Sequence, residues 1–261
     1  MSAIAYHRPS SVAEAARIAQ GEPDAKILAG GQSLLPSMKL GLLAPTALID
    51  LGALAELRGI RSDRKSITVG AMTAHAAVAA SREVIELLPA LARLAAGIGD
   101  PQVRNRGTIG GSLANSDPAA DYPAAVLALD ATIRTNRRAL AADEFFKGLF
   151  ETALGPGELI TAVEFPLPKR AAYVKFQQPA SRFALAGVFV AQTSAGVRVA
   201  VTGAGPCVFR AAALEQALTR RFAPQACDGI AISPNGLNED IHASAAYRAH
   251  LISVLARRAL A

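Results

Sequence analysis

The sequence predicts an α+β protein made of more than one packed unit, and three observations carry that prediction. Short apolar runs lead directly into glycine pairs in AGGQS, residues 29–33, and again in TIGGS, residues 108–112. Two prolines one residue apart, Pro166 and Pro168, interrupt the chain, and each opposes both a helix interior and a central strand. Beyond them strand-like runs give way to helical ones, the order of an α+β unit rather than of alternating βα repeats. At 261 residues the chain is also long for one core, and chains of this size commonly divide.

The first unit, residues 1–55, opens on Ser11-Val-Ala-Glu14, a capping box that starts a helix running to about Ala19, with Gly21 as its stop. Lys26-Ile-Leu-Ala29 reads as a buried strand running into Gly30-Gly31, and Ala47 to Leu51 as a second strand, which makes a small βαβ-like unit. In residues 56–167, Ser66 to Gly70 reads as a strand and a helix follows Thr73. A longer helical region from Arg82 to about Ala96 is interrupted at Pro89, and Gly107 to Asp121 reads as a central loop. In residues 168–261, strands are expected at Tyr173–Gln177, Ala184–Gln192 and Val197–Val201, with a turn at Thr193–Gly196. Helices follow at Ala211–Leu218 and from about Ser244 to Ala259. In the last, Tyr247, Leu251 and Leu255 recur at fourfold spacing, and Arg257 and Arg258 suit the negative end of the helix dipole.

Composition excludes several functions. The formal charge of +6 admits an acidic partner, yet the basic residues are scattered and aromatics make up 5% of the chain, too few for a base-stacking platform, so nucleic acid is not expected. No run of about 18 consecutive apolar residues occurs, and MSAIAYHRPSS lacks the basic-then-apolar pattern of a signal peptide. The expectation is a soluble cytoplasmic protein with no integral membrane segment. Two cysteines, Cys207 and Cys227, are too few for a disulfide framework, a four-thiolate iron–sulfur cluster or a structural zinc site. The four histidines, His7, His75, His242 and His250, show no metal-ligand spacing and read as surface or core residues.

The glycine pairs point to chemistry of another kind. A pyrophosphate needs several converging N–H donors with no side chain in the way, and a strand ending in a glycine loop supplies them. Gln32 and Ser33 follow one pair and Ser112 the other, each loop adding a serine hydroxyl donor, so two loops from different units are suited to clamp the two phosphates of a dinucleotide. The plainer account makes each pair a tight turn. Neither a GxGxxG fingerprint nor a Walker A loop is present, so a dinucleotide here is held by another route. On this reading a branched residue at Gly31 or Gly110 would fill the phosphate's approach while leaving most of the fold. Asp117 before Pro118 reads as an N-cap, and so does Asp121 with Pro123 in the first turn. Capping accounts for Asp117. Asp121, beside a phosphate loop, is also well placed to accept hydrogen bonds from ribityl or ribose hydroxyls.

Six segments together resemble, in this order, the FAD-binding subunit of the molybdenum hydroxylases: AGGQSLLPSMKLGLLAPTALIDL, RNRGTIGGSLANSDPAADYPA, PGELITAVEFP, KFQQPASRFALAGV, VAVTGAGP and SAAYRAHLISVLARRAL. The likeness is strongest to the medium subunit of carbon monoxide dehydrogenase-type enzymes and extends to xanthine dehydrogenase FAD subunits. The resemblance implies a two-part FAD domain of the vanillyl-alcohol-oxidase type followed by a small α+β domain. It implies that Ala29, Gly30, Gly31, Gln32 and Ser33, with Thr108, Ile109, Gly110, Gly111 and Ser112, hold the FAD pyrophosphate. Asp121 would bind the hydroxyl-bearing chain, the backbone around Ile160 would contact FAD, and Lys175 would lie near the isoalloxazine, where a positive charge favours the anionic reduced flavin. The plainer account of Lys175 is a strand-edge lysine in solvent. Many relatives read His-Ala where this chain has Asn115-Ser116, which bears on flavin contacts around Asn115 or on access of the acceptor. Relatives with an additional four-iron cluster in this subunit differ from this chain, whose two cysteines cannot ligate one.

The function this implies is electron transfer. The chain would take electrons from the [2Fe–2S] clusters of a small subunit and pass them to an external quinone, NAD or oxygen. The substrate-oxidising centre would lie on a molybdopterin-binding large subunit, with the whole a dimer of heterotrimers. Two other readings stay open on the residues alone: a freestanding FAD oxidoreductase with its own substrate pocket, for which no acid–base constellation stands out, and an assembly subunit with a vestigial site, against which the retained glycine pairs, Asp121 and Lys175 weigh.

Overall fold

A computed structural model of the chain describes residues 4–261. The first unit contains β1 (Ala5–His7), α1 (Val12–Gly21), β2 (Lys26–Leu28), α2 (Leu34–Lys39) and β3 (Ala47–Asp50), and its strands form a parallel sheet in the order β1-β3-β2. The Ser11 hydroxyl caps α1 through the Glu14 N–H at 3.2 Å, as the capping box predicts. Glu14 reaches back one residue further than expected, to the N–H of Ser10 at 2.8 Å. Gly21 is the last residue of the helix, not a left-handed stop, and Glu22 is the cap.

The second unit runs through β4 (Ile60–Ser62), β5 (Ser66–Gly70) and five helices: α3 (His75–Ala80), α4 (Arg82–Leu87), α5 (Pro89–Ala96), α6 (Pro101–Arg106) and α7 (Ile109–Asn115). It continues with α8 (Tyr122–Ala128), β6 (Thr132–Thr135), β7 (Ala139–Ala141), α9 (Ala142–Phe145), β8 (Phe146–Gly148), β9 (Glu151–Thr152) and β10 (Ile160–Pro166). Its main sheet is antiparallel in the order β4-β5-β10-β6-β7, with the late strand β10 inserted at the centre. Pro166, which cannot donate to the ladder, sits at the end of that strand. The break predicted at Pro89 is real: Leu88 leaves helical geometry and Pro89 takes the first turn of α5, where its missing N–H costs nothing.

The remaining strands, β11 (Arg170–Gln177), β12 (Ala184–Thr193), β13 (Gly196–Thr202) and β14 (Phe209–Arg210), form an antiparallel meander with α10 (Ala212–Arg220) and α11 (Ala245–Leu260). The continuous apolar run of β12 has a cause. Ala186, Val188 and Val190 face the core under α10 and α11, while Phe189 and Ala191 face the core of the second unit, so the strand is buried on both sides. In α11, Leu251 and Leu255 enter the core as their spacing predicts. Tyr247 does not: it is 42% exposed and meets the Phe176 ring edge-on at 6.2 Å.

One ion pair with a buried carboxylate fixes the turn ahead of β10. Glu158, whose side chain is 2% exposed, accepts from Arg138 Nε and Nη2, both at 2.9 Å, from the Thr135 hydroxyl at 2.8 Å and from the Gly155 N–H at 3.0 Å. The Arg138 hydrogen bonds, helped by the other donors, hold the carboxyl down at about 2 against an ordinary 4.5. A depressed folded pKa means that the contribution to stability is present above the unfolded value and is lost as pH falls through about 2. Glu158→Gln should therefore lower the urea midpoint at pH 7, and its deficit relative to the native chain should shrink as the pH is taken below the unfolded value. A deficit that stays constant with pH would show that Glu158 acts through packing instead.

Candidate functional site

The two glycine pairs meet. A Cβ placed on Gly30 would lie 2.2 Å from the Arg106 carbonyl oxygen and 2.7 Å from Gly107 Cα, and one placed on Gly111 would lie 3.3 Å from Ala29 Cβ. The end of β2 is thus pressed against the junction between α6 and α7, and the close approach of the two backbones is what requires glycine. Gly31 adds a left-handed turn, with φ of 72°, that starts the swing into α2.

The two pairs are not equivalent as donors. Among the described residues, no acceptor takes the backbone N–H groups of Gly30, Gly31, Gln32, Ser33 or Leu34, and Ser33 caps α2 with no side-chain hydrogen bond. Five successive donors at a glycine turn make a concavity suited to an anion. The second pair departs from the expected bare loop, because Gly110 and Gly111 lie in the first turn of α7. There the Ile109 N–H is spent on Thr73 O at 3.2 Å, Gly110 N–H on Ala71 O at 2.8 Å, Gly111 N–H on the capping Thr108 hydroxyl at 3.1 Å and Ser112 N–H on Thr108 O at 3.0 Å. A Cβ on Gly110 would lie 2.6 Å from Ala71 Cβ and 2.8 Å from its carbonyl oxygen, so this glycine serves core packing and not a ligand's approach. The expectation that Gly110→Val spares the fold is corrected accordingly. What α7 offers is a face: Gly111, Ser112 and Asn115 lie at helical spacing on its half-exposed side, while Ile109 and Leu113 enter the core.

Ile160 is tied to the same place. It is buried at the bulge of β10, and the next carbonyl, Thr161 O, accepts from the Ala71 N–H at 2.9 Å, while Ala71 in turn accepts from Gly110. Behind Gly107 stands His75, whose Nε2 would be 2.6 Å from a Cβ on that glycine and whose ring tilts against Tyr122 at 5.3 Å. Burial, with the nearby Arg104, pushes His75 down to about 4, so the ring is neutral at neutral pH. His75 Nδ1 and the Tyr122 hydroxyl have no hydrogen-bond partner among the described residues.

Asp121 and Lys175, the other side chains expected at the cofactor, are joined to each other. Asp121 does not cap α8: its carboxylate, 4% exposed, accepts from the Tyr173 hydroxyl and from Lys175 Nζ at 3.0 Å. Burial raises its pKa, opposed by Lys175 and Tyr173. Asp117 closes a turn through the Ala119 N–H at 2.8 Å and caps no helix. Lys175 is not a solvent lysine, since its side chain is 9% exposed and Nζ also reaches Gly97 O at 2.9 Å and Arg182 O at 3.0 Å. Tyr173, Gly97 and Arg182 were not legible from residue type, although Tyr173 had a signal: it is two residues from Lys175 on a strand and so shares its face.

A glycine junction between two units that leaves a run of backbone N–H groups unspent is suited to a phosphate-bearing cofactor. Residues 2–168 match the family described as the FAD binding domain in molybdopterin dehydrogenase. Over 98% of the chain and 95% of the relative, the sequence is 38% identical to the carbon monoxide dehydrogenase medium chain of Hydrogenophaga pseudoflava. It is 36% identical to the nicotine 6-hydroxylase medium subunit of Paenarthrobacter nicotinovorans, over 100% of this chain and 97% of the relative. The structure of reconstituted CO dehydrogenase from Oligotropha carboxidovorans superposes with a TM-score of 0.91 at 32% identity, covering 99% of this chain and 96% of that one. The chain belongs to the FAD-binding subunit family of the molybdenum hydroxylases; it is a flavoprotein of oxidoreductase complexes, and FAD is its cofactor. The donor set fits that cofactor, since unspent N–H groups at a glycine turn are what a pyrophosphate requires. No helix is long and apolar enough to cross a membrane among the described residues.

Proposed function

We propose that this chain is the electron-transfer subunit of a molybdenum hydroxylase complex, receiving electrons from the [2Fe–2S] clusters of a small subunit and passing them to an external acceptor. The observation that carries the reading is the run of five unspent N–H groups from Gly30 to Leu34 set against α7. Bound FAD supplies the redox chemistry; the chain supplies binding, orientation and charge. In this reading Ala29 to Ser33 hold the pyrophosphate through backbone N–H groups. Thr108 to Ser112 form the wall behind it, with the Ser112 and Asn115 side chains as adjustable donors. Asp121 keeps lone pairs beyond those used by Tyr173 and Lys175 and offers them to the hydroxyl-bearing chain. Ile160 lends its backbone, and Lys175 is a fixed charge near the isoalloxazine. The partners are a molybdopterin-binding large subunit and a [2Fe–2S] small subunit, assembled in the cytoplasm as a dimer of heterotrimers.

The tagged full chain, expressed with its genomic neighbours, should purify with two further chains carrying iron and molybdenum, and denaturation should release FAD and no FMN. A flavin-loaded chain that purifies alone from such cells, or release of FMN, would overturn the reading. Asp121→Ala is expected to weaken FAD binding by about 1–3 kcal/mol, the worth of a charge-assisted hydrogen bond, measured by FAD titration into flavin-free protein.

A further inference from the structure

We propose that Tyr173 is a positioning residue for FAD, acting through Asp121, and that Gly187 is the vacancy in β12 that lets it do so. Tyr173 and Lys175 project from the same face of β11, and both end on the Asp121 carboxylate. Lys175 does not fix that carboxylate alone, because its three protons are divided among Asp121, Gly97 O and Arg182 O. The Tyr173 hydroxyl supplies the second anchor, from a ring held against Phe189 with centroids 6.0 Å apart. Its route depends on a missing side chain. A Cβ on Gly187 would lie 2.4 Å from the Tyr173 hydroxyl oxygen, and Gly187 is the residue paired with Lys175 across the two strands. An interior glycine weakens a strand, so its place here has a local reason in the close approach of the hydroxyl.

Two anchors leave the carboxylate one orientation and leave its remaining lone pairs to a ligand hydroxyl. They also supply the donors that favour the ionised form inside a buried site. The charged and titratable groups acting on Asp121 are Lys175 and Tyr173 from β11, with Tyr122 next to it on α8.

The inference rests on the reading of Asp121 as an acceptor for FAD, and the experiment separates the two. FAD is titrated into the flavin-free full chain carrying Tyr173→Phe, Asp121→Ala, both, or Gly187→Ala, with thermal unfolding recorded for each; Asp121→Asn replaces Asp121→Ala if the latter does not fold. Tyr173→Phe keeps the ring and should raise the FAD dissociation constant roughly tenfold, as expected for a lost hydrogen bond to a charged group. In the Asp121→Ala background the same change should have almost no further effect, the signature of one residue acting through the other. Gly187→Ala should mimic Tyr173→Phe and add nothing to it. Because removing the hydroxyl raises the Asp121 pKa, the loss of FAD affinity on acidification should begin at a higher pH in Tyr173→Phe than in the native chain. If Asp121→Ala binds FAD like the native chain, the Asp121 reading fails and the proposal with it. If Asp121→Ala is weakened while Tyr173→Phe is not, or if the two losses simply add, the positioning role alone is overturned.

Discussion

Valine in place of Gly30 is expected to yield a chain that retains no FAD. The side chain would not merely crowd the ligand. Its Cβ alone would fall 2.2 Å from Arg106 O and 2.7 Å from Gly107 Cα, and both are backbone atoms with no rotamer to escape into. The end of β2 must then lift off the α6–α7 junction, carrying the unspent N–H groups of Gly30 to Leu34 out of register with the wall they stand against. Even Gly30→Ala should show most of the loss, because the conflict is at Cβ. Gly31→Ala should be milder: it costs about 1–2 kcal/mol for a left-handed φ of 72°, and its closest contact, at 2.9 Å, is the end of the Leu35 side chain, which can turn aside. Gly110→Val should behave differently from both, failing to accumulate as folded protein, because it drives into the Ala71 backbone in the core. The flavin-to-protein ratio after purification, with thermal unfolding beside it, tests the series. Full FAD occupancy and unchanged affinity in folded Gly30→Val would remove the junction from the cofactor site.

Much of this arrangement could be read from the residues, and the parts that could not have physical reasons. The strand Lys26–Leu28 running into Gly30-Gly31, the break at Pro89 and the meander beyond Pro168 each follow from a local signal: an apolar run ended by glycine, a missing N–H, two strand-like apolar runs joined by the turn Thr193–Gly196. Strand β10 is not legible in the same way, since its place at the centre of a sheet is decided by pairing with β5 and β6, which no local pattern reports. The glycine pairs were legible as a place where something approaches closely. What approaches was only half legible: at Gly31 the turn leaves donors unspent, whereas at Gly110 the approaching atom is the chain's own Ala71. Asp121 illustrates the same limit. A carboxylate ahead of Pro123 looks like a cap, and its true partners lie more than 50 residues on, on strand β11.

The isolated chain, loaded with FAD, should stay oxidised when given the substrate of the whole complex, and this is the largest effect expected of it, all or none rather than graded. The reason lies in the side chains near the site. Among the described residues there, His75 is buried under Gly107 with its basicity lowered to about 4, Tyr122 is buried beside it, and Asp121 is buried between Lys175 and Tyr173, so these side chains are poorly suited to take a proton from a substrate. Among the described residues, no group of three or more His, Cys, Asp or Glu side chains is placed to hold a metal ion. Dithionite should nevertheless bleach the flavin of the lone chain, and an artificial acceptor should restore its colour, because neither needs a substrate pocket. Substrate-driven bleaching should appear only when the molybdenum and iron–sulfur partners are added back, and its rate should then be that of the native complex. The Tyr173→Phe chain, saturated with FAD, should be restored by the same addition, since its defect is in holding the cofactor. A stopped-flow trace in which the lone chain's flavin is reduced by substrate at the rate of the complex would make it a freestanding oxidoreductase and end the electron-transfer reading.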